Sequence, residues 1–193
     1  MINLVFINGS KYWVDVGFGP NGPTHPVELP NDIEDIIEQE NIQPASLRLI
    51  YQAPEGYTDP DQRLWCFAHR INDKSPYEEC YAFTELEFFP SDYELMNYFT
   101  STNPKVWFTQ RAICARMIMG EYKEIEGQVI VGDDLKIRKH GETVLKKEFE
   151  SEDERLQALK EHFGITFTPG ERDGIIGRIS QIKDKKGGVT SDI

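Results

Sequence analysis

The chain has 193 residues, enough for one core of ordinary size or for two small lobes. With 39% hydrophobic and 28% charged residues, it has the composition of a soluble globular protein rather than of a disordered chain. The formal net charge of −12 opposes contact with phosphate backbones and anionic membranes, so nucleic acid and membrane are not expected partners. The chain has three cysteines, Cys66, Cys80 and Cys114, and their spacing is not that of metal ligands. An odd number of cysteines without such spacing favours a reduced, cytoplasmic protein without a metal site.

The first predicted element is a β-hairpin, and the start of the chain is typical of a strand rather than of a signal peptide. Residues 2–7 and 11–16 are rich in β-branched and aromatic residues, and Asn8-Gly9 between them tolerates the positive φ angles of a tight turn. Glycines and prolines in residues 17–23 predict a shaped loop, and residues 32–40 predict an acidic surface insert. Three further strands are predicted over residues 46–52, 63–71 and 81–88.

A helix is predicted to start at Ser91, because Ser91 and Glu94 have the spacing of a capping box. Pro104 is expected to end this segment, and residues 106–119 are again typical of a strand. A domain boundary near residues 88–91 is plausible at the start of the helix. We therefore expect one domain over residues 1–90 and a second over residues 91–193.

The second half is predicted to contain a β-meander and one more helix. Ser151 and Glu154 form another capping box, the helix after it has one apolar face, and Gly164 fits its C-terminal cap. The chain after residue 187 is expected to be frayed. The predicted meander strands are residues 128–131, 135–139 and 143–149. The order of elements predicts an α+β fold rather than a doubly wound fold. Its sheet is expected to be mainly antiparallel and to form a partial barrel.

The most informative residue is Asp15, a carboxylate inside an otherwise apolar strand. Burying an ionised carboxylate is costly unless it is paired or hydrogen-bonded, so Asp15 needs a nearby donor. An imidazole is one such donor, as in an acyl-transfer triad, where the carboxylate orients the ring and stabilises its protonated form. The alternative is that Asp15 caps a strand end and that residues 17–19 form a tight turn. Spacing alone does not decide between the two.

Two stretches resemble arylamine N-acetyltransferases of the type found in fungi. The first is YWVDVGFG at residues 12–19, followed by PTHPVEL at residues 23–29; the second is MNYFTSTNP at residues 96–104, followed by Phe108. Together they span roughly the first 110 residues, and the remainder agrees only in the order of its elements. The resemblance implies a helical bundle, a β-barrel and an α/β lid. It also implies transfer of acetyl from acetyl-CoA, through a cysteine thioester, to an arylamine or hydrazine.

By this resemblance Asp15 is the triad aspartate, and Phe18 and Gly19 lie at the substrate site. Phe99 takes a position beside coenzyme A that is usually tyrosine, and Lys105 one where a polar residue contacts the coenzyme. A lysine there can meet a phosphate or a carbonyl group. The alternative is that Phe99 belongs to the core on a capped helix and that Lys105 is simply exposed to solvent.

The sequence departs from the family at the base and the nucleophile. The family's histidine precedes the aspartate by about fifteen residues on the neighbouring strand of a hairpin, a position just before Met1, and its cysteine and helical bundle lie further upstream. We therefore expect a C-terminal part of such a protein, inactive alone, as a truncated product, a gene-model fragment or a degenerate paralogue. Cys66 and His69 do not substitute, because positions three apart on a strand face opposite sides.

Two other functions are considered beside this one. The chain is alternatively a non-catalytic module that binds coenzyme A weakly or pairs with a partner through an exposed sheet edge and apolar face. A third hypothesis keeps cysteine–histidine–aspartate chemistry, with the missing groups supplied in trans.

Overall fold

The computed structural model describes residues 1–183, which group into two units. The first unit comprises residues 1–90 and 119–127, and the second comprises residues 91–118 and the chain from residue 128 onward. Residues 184–193, which include the tail predicted to be frayed and the end of the predicted second domain, lie outside the described residues. Whether each unit folds as an independent domain stays a prediction.

The first unit begins with the expected hairpin. Strand β1 (Asn3–Ile7) pairs antiparallel with β2 (Ser10–Val14), and Asn8 and Gly9 between them have φ angles of 51° and 91°. Positive φ at both turn residues matches the twist of the two strands, which is why this dipeptide fixes the register. The two-residue strand β3 (Val27–Glu28) pairs with β2 and completes a three-stranded sheet in the order β1-β2-β3.

A four-stranded antiparallel sheet follows in the order β4-β5-β6-β7. Its strands are β4 (Ile37–Glu40), β5 (Ser46–Gln52), β6 (Leu64–Arg70) and β7 (Glu78–Phe83). The prediction that residues 32–40 form only a surface insert is wrong for β4, because Ile37 packs against the core opposite Leu49 of β5. The third predicted strand, residues 81–88, lies earlier in the chain than expected, since β7 ends at Phe83.

One face of each of these sheets contributes to the core of the first unit. Alternation along β5 and β6 places every second side chain inward, so Leu47 and Leu49 are fully buried while Arg48 between them is not. The buried cluster consists of Trp13, Val27, Leu29, Leu47, Leu49, Trp65, Phe67 and Phe83.

The second unit opens with helix α1 (Pro90–Thr102), one residue earlier than the capping-box pattern predicts. The expectation of a strand over residues 106–119 is wrong for its first half, where a short 3-10 helix (Trp107–Thr109) precedes strand β8 (Cys114–Met119). The meander is present as β9 (Ile125–Val131), β10 (Asp134–Lys139) and β11 (Glu142–Glu148). These four strands form a sheet in the order β11-β10-β9-β8.

Helix α2 (Glu152–Phe163) has both predicted caps, and α3 (Pro169–Asp173) is a short helix that the sequence patterns did not predict. The Ser151 side chain accepts a hydrogen bond from the Glu154 backbone N–H, and Gly164 adopts a left-handed conformation with φ of 70°. These contacts satisfy backbone groups that a helix end leaves unpaired. The core of this unit consists of Val129, Val131, Leu135, Phe149, Ala158 and Leu159.

The predicted α+β class with mainly antiparallel sheet is confirmed. The three sheets are open, and none closes into a barrel within residues 1–183. In that same range, no helix is long and apolar enough to cross a membrane.

Candidate functional site

Asp15 lies directly after β2, where the chain leaves the first sheet, and its exposed fraction is 8%. Trp13, two residues earlier on β2, belongs to the apolar core, so the carboxylate lies at the edge of a hydrophobic cluster rather than in bulk water. A charge in that position has to be compensated by donors of the protein.

Two of these donors are backbone amides of the loop that follows. The Gly17 N–H donates to Asp15 Oδ1 at 2.8 Å, and the Phe18 N–H donates to the same oxygen at 3.2 Å. This is the local pattern of an Asx turn, in which the side chain replaces a backbone acceptor. Asp15 therefore does cap the end of the strand, as the alternative interpretation expects. This role uses only Oδ1 and leaves Oδ2 able to accept other hydrogen bonds.

The third donor is Tyr81, on β7 of the second sheet. Its hydroxyl donates a hydrogen bond to Asp15 Oδ2. Burial raises the pKa of the Tyr81 phenol well above its ordinary value, and the hydrogen bond to the Asp15 carboxylate raises this pKa further. The phenol is therefore protonated throughout the physiological range and acts as a permanent donor.

An aromatic wall surrounds this pair. The Phe18 ring meets Phe67 edge-on with centroids 5.7 Å apart and lies 5.2 Å from the Tyr81 ring, while 41% of Phe18 remains exposed. Trp13 backs the wall, 5.0 Å from Phe67 and stacked on Phe83 at 5.7 Å. Phe18 thus contacts the buried aromatic residues on one side and solvent on the other. A ring in this position is suited to bind a flat apolar group at the entrance of a site.

The glycine-rich loop fixes the position of Phe18. Gly19 has a φ of 105°, which disfavours any residue with a Cβ atom, and the Gly22 N–H donates to the Gly19 carbonyl at 3.0 Å. A Cβ atom at Gly22 would lie 3.2 Å from that carbonyl oxygen and 3.3 Å from Phe18 Cβ. The loop therefore requires glycine for its turn and for the close approach of two backbone segments.

None of the four histidines contacts Asp15 in the part of the chain that the structure describes. His25 is exposed and bonds to Gln39 through Nε2 at 2.9 Å. His69 is buried on β6, and burial lowers the pKa of its imidazole. His140 lies in the turn between β10 and β11, and His162 is in the last turn of α2.

The cysteines are poor nucleophiles in this structure. Burial raises the pKa of the Cys66 thiol to about 11, and it also raises the pKa values of Cys80 and Cys114. A thiol with a raised pKa holds little thiolate at neutral pH, and thiolate is the reactive form. Since β6 pairs with β5 without a register shift, Cys66 and His69 fall on opposite faces.

The two residues predicted to contact a coenzyme belong to the second unit, whereas Asp15, Phe18 and Gly19 belong to the first. Phe99 on α1 is 60% exposed, so the alternative interpretation that Phe99 belongs to the core is wrong. Phe99 lines a shallow groove of about 560 Å³ together with Leu95, Met96 and Tyr98. Lys105 is exposed, with its backbone N–H donating to Asn103 Oδ1 at 2.9 Å, so a coenzyme role for either residue stays a prediction.

Tyr81 is the functional candidate that sequence reasoning missed. Period-two alternation along β7 places Tyr81 on the same face as Phe83, toward the core, and a buried tyrosine needs a partner for its hydroxyl. That signal was present in the sequence, but the pairing with Asp15 spans 66 positions and depends on how the two sheets pack.

Among residues 1–183, no group of three histidine, cysteine or acidic side chains is placed to hold a metal ion.

Comparison with known proteins gives a consistent set of relatives. A family model described as N-acetyltransferase matches residues 1–171. In an alignment 184 residues long that covers 91% of this chain, it is 35% identical to the N-malonyltransferase FDB2 of Gibberella moniliformis. It is equally similar over 185 residues to the N-malonyltransferase FDB2 of Fusarium pseudograminearum. The aligned parts make up 52% and 53% of those proteins, so the chain spans about half the length of the curated relatives it matches.

Solved structures with the same fold are arylamine N-acetyltransferases. That of Mycobacterium abscessus matches 89% of this chain and 55% of its own, with a TM-score of 0.70 and 20% identity. That of Mycobacterium marinum, solved in complex with CoA, matches 94% of this chain and 60% of its own, with a TM-score of 0.68 and 21% identity. At this level of identity, the structural matches show the shared fold alone.

Proposed function

Because the chain belongs to the arylamine N-acetyltransferase family, we propose that Asp15 is the orienting acid of an acyl-transfer triad. The observation that carries this proposal is the hydrogen-bonded carboxylate itself. Asp15 is buried, is anchored through Oδ1 by two backbone amides, and is anchored through Oδ2 by the Tyr81 hydroxyl.

These three hydrogen bonds leave Asp15 able to accept one more, from a histidine. A carboxylate has about four acceptor sites on its two oxygens, and three are used here. One further site accepts the N–H of an imidazole, which fixes the ring's tautomer and stabilises its protonated form. The fixed donors hold the carboxylate still, so that an incoming histidine is oriented without further ordering of the acid.

The reaction that fits such a triad is a two-step transfer. The histidine removes the proton of a cysteine thiol, and the thiolate attacks the thioester carbonyl of an acyl-CoA. Coenzyme A then leaves as its thiol, and the acyl group stays on the cysteine as a new thioester. An arylamine or hydrazine nitrogen attacks that thioester, forms the amide, and regenerates the cysteine thiol. Phe18, with one side open to solvent, is the proposed contact for the flat acceptor.

Two acyl donors are candidates. Acetyl-CoA is the donor expected from the family, while the fungal relatives at 35% identity are named N-malonyltransferases. We propose a coenzyme A thioester as the cosubstrate, with acetyl and malonyl groups as the two acyl groups to compare. A cytoplasmic location is part of the proposal, supported by three free cysteines.

The chain alone is proposed to be inactive. Its own thiols have raised pKa values and its own histidines do not contact Asp15 within residues 1–183. The nucleophile and the base must then come from another segment or another chain. The aspartate, the aromatic wall and the sheets that hold them are what this chain contributes.

A chimera tests the proposal directly. The aligned chain is fused to the part of the Gibberella moniliformis relative that precedes its match, and acyl transfer to an aminobenzoate is followed by release of free thiol from acetyl-CoA or malonyl-CoA. We expect turnover by the chimera and none by the isolated chain. Asp15→Asn in the chimera should abolish turnover while leaving the protein folded. Turnover by the isolated chain after removal of all three cysteines, or a fully active Asp15→Asn chimera, would contradict the proposal.

A non-catalytic interaction module is the second candidate, favoured by exposed apolar side chains. Strand β1 is an edge strand of its sheet, and Phe6 on it is largely exposed, as are Leu95 and Phe99 on α1. Open edges and apolar patches of this kind favour association with a partner. Light scattering after size exclusion distinguishes the candidates, because a stable monomer over a wide concentration range contradicts self-association.

A further inference from the structure

Two arginines share one tyrosine ring on the second sheet of the first unit. The guanidinium carbon of Arg48 lies 4.3 Å from the centroid of the Tyr77 ring, and that of Arg70 lies 4.6 Å from the same centroid. Both distances are within cation–π range, so a single ring holds two positive charges near one another. We call Arg48, Arg70 and Tyr77 the arginine–tyrosine cluster.

The cluster lies on the face of the sheet that points away from Asp15. Arg48 alternates with the fully buried Leu47 and Leu49 on β5 and pairs with Ala68 on β6. Arg70 is two residues beyond Ala68 on the same strand, so it emerges on the same side. Tyr81 and Phe67 point to the opposite, core-facing side. The cluster is thus separate from the proposed acyl-transfer site.

Each member of the cluster has a buried polar atom that is not satisfied. Arg48 Nε, Arg70 Nε and Tyr77 Oη are each inaccessible to solvent and have no hydrogen-bond partner among the described residues. Buried polar atoms are almost always hydrogen-bonded, so three unpaired donor atoms on three side chains in contact are exceptional. All three can donate, and the two guanidinium groups are donors only.

The positive charge of the cluster is also poorly compensated. Arg70 has one ion pair, to Asp73 at 3.3 Å, and that carboxylate is mostly exposed. Arg48 forms no ion pair with the carboxylates of residues 1–183, although Glu38 lies opposite it on β4. Two further acidic residues lie on this face: Glu40, which pairs with Ser46 beside Arg70, and Glu79, which is opposite Ala68 on β7. In a chain with a net charge of −12, two arginines left in this state need an explanation.

We propose that the arginine–tyrosine cluster is a binding site for a phosphate group. A phosphate supplies several acceptor oxygens and negative charge, and guanidinium groups bind it through charge-assisted hydrogen bonds. The Tyr77 hydroxyl is a neutral donor beside them, which a phosphate reaches only when the two arginine side chains move off the ring. The proposed ligand is inorganic phosphate or the phosphate of a small monoester. Glu38, Glu40 and Glu79 on the same face oppose the binding of any anion, so we expect low affinity.

The test is a titration of the intact chain with sodium phosphate and, separately, with phenyl phosphate, against sodium chloride at equal ionic strength. The melting temperature and the ³¹P line width of the ligand report binding. We expect saturable stabilisation beyond that in chloride. Stabilisation by inorganic phosphate identifies a free-ion site, and stabilisation by phenyl phosphate alone identifies the phosphate of a larger ligand. Equal melting temperatures in all three salts overturn the proposal.

The variants assign the binding to the cluster. Arg48→Gln and Arg70→Gln should each weaken phosphate binding by about tenfold, and Tyr77→Phe by about threefold. Arg63→Gln is the matched control, because Arg63 also stacks on a tyrosine, Tyr51, but is ion-paired with Glu34. It should leave the affinity unchanged. If Arg48→Gln does not fold by circular dichroism, Arg48→Lys replaces it. Unchanged affinity in the Arg48 and Arg70 variants places the phosphate elsewhere and refutes the assignment.

Discussion

The Tyr81→Phe substitution tests whether the Asp15 carboxylate depends on its phenol donor. The change removes one oxygen and keeps the ring, so the contacts of Tyr81 with Phe18 and Phe67 are retained. Asp15 Oδ2 is then left without its hydrogen bond in a buried position. Hydrogen bonds to charged groups contribute about 1.5–3 kcal/mol, so we expect a loss of stability of about 2 kcal/mol.

Urea unfolding followed by tryptophan fluorescence measures this loss, because Trp13 lies 6.2 Å from the Tyr81 ring and reports on the same core. With a slope of roughly 2 kcal/mol per molar urea, the midpoint should fall by about 1 M. Tyr12→Phe is the matched control, since its hydroxyl donates to Glu28 at 3.3 Å on an exposed surface. Its midpoint should move by less than about a quarter of that amount. Equal, small shifts for the two variants would refute the reasoning.

The dependence of the Tyr81 effect on pH has a definite sign. The phenol's pKa is raised in the folded protein, so the unfolded chain releases this proton at a lower pH than the native one. The stability that comes from Tyr81 is therefore complete below the ordinary tyrosine pKa of about 10, and it is lost as the pH rises above that value. The difference in stability between wild type and Tyr81→Phe should accordingly shrink in alkaline buffer.

Three further predictions concern residues outside this pair. With a pKa of about 11, the Cys66 thiol should react with a disulfide reagent at pH 8 about a hundredfold more slowly than free cysteine, as measured by peptide mass spectrometry; labelling at the free rate would contradict its burial. Gly22→Ala should cost about 1–2 kcal/mol because its Cβ meets the Gly19 carbonyl, whereas Gly170→Ala in the open helix α3 should be neutral or stabilising; thermal melts that rank the two the other way would refute the loop argument. Ser151→Ala should cost about 1 kcal/mol by loss of the cap on α2, and Ser151→Asp should restore the stability, so an unaffected Ser151→Ala melting temperature would show that the cap is not needed.

The elements that the sequence predicts well are those specified by adjacent residues. Asn8-Gly9 determines the first hairpin, and Ser151 with Gly164 determines both ends of α2, because each acts on backbone groups a few positions away. The strand β4 was missed since only its pairing with β5, and the contact of Ile37 with the core, makes that acidic segment extended. The 3-10 helix after Pro104 was missed because Trp107 and Phe108 have the composition of a strand.

The same distinction separates the two halves of the candidate site. The need of Asp15 for donors follows from its place in an apolar strand, and the Gly17 and Phe18 amides are local to it. The identity of the third donor was beyond such reasoning, because an imidazole and a phenol satisfy a buried carboxylate equally well in principle. Only the packing of β7 against β2 brings Tyr81, rather than His69 of β6, to Asp15.

This arrangement means that structural and catalytic roles of Asp15 can be separated by experiment. Asparagine at position 15 keeps an oxygen for the Gly17 and Phe18 amides, and its NH₂ group can donate to the Tyr81 oxygen if the phenol hydrogen turns away. The fold should therefore tolerate Asp15→Asn with little loss, while the negative charge that would stabilise an imidazolium is gone. Alanine removes both functions. A purely structural aspartate predicts that activity in the chimera follows stability across Asn and Ala, whereas an orienting acid predicts that Asn is as inactive as Ala while remaining clearly more stable than Ala.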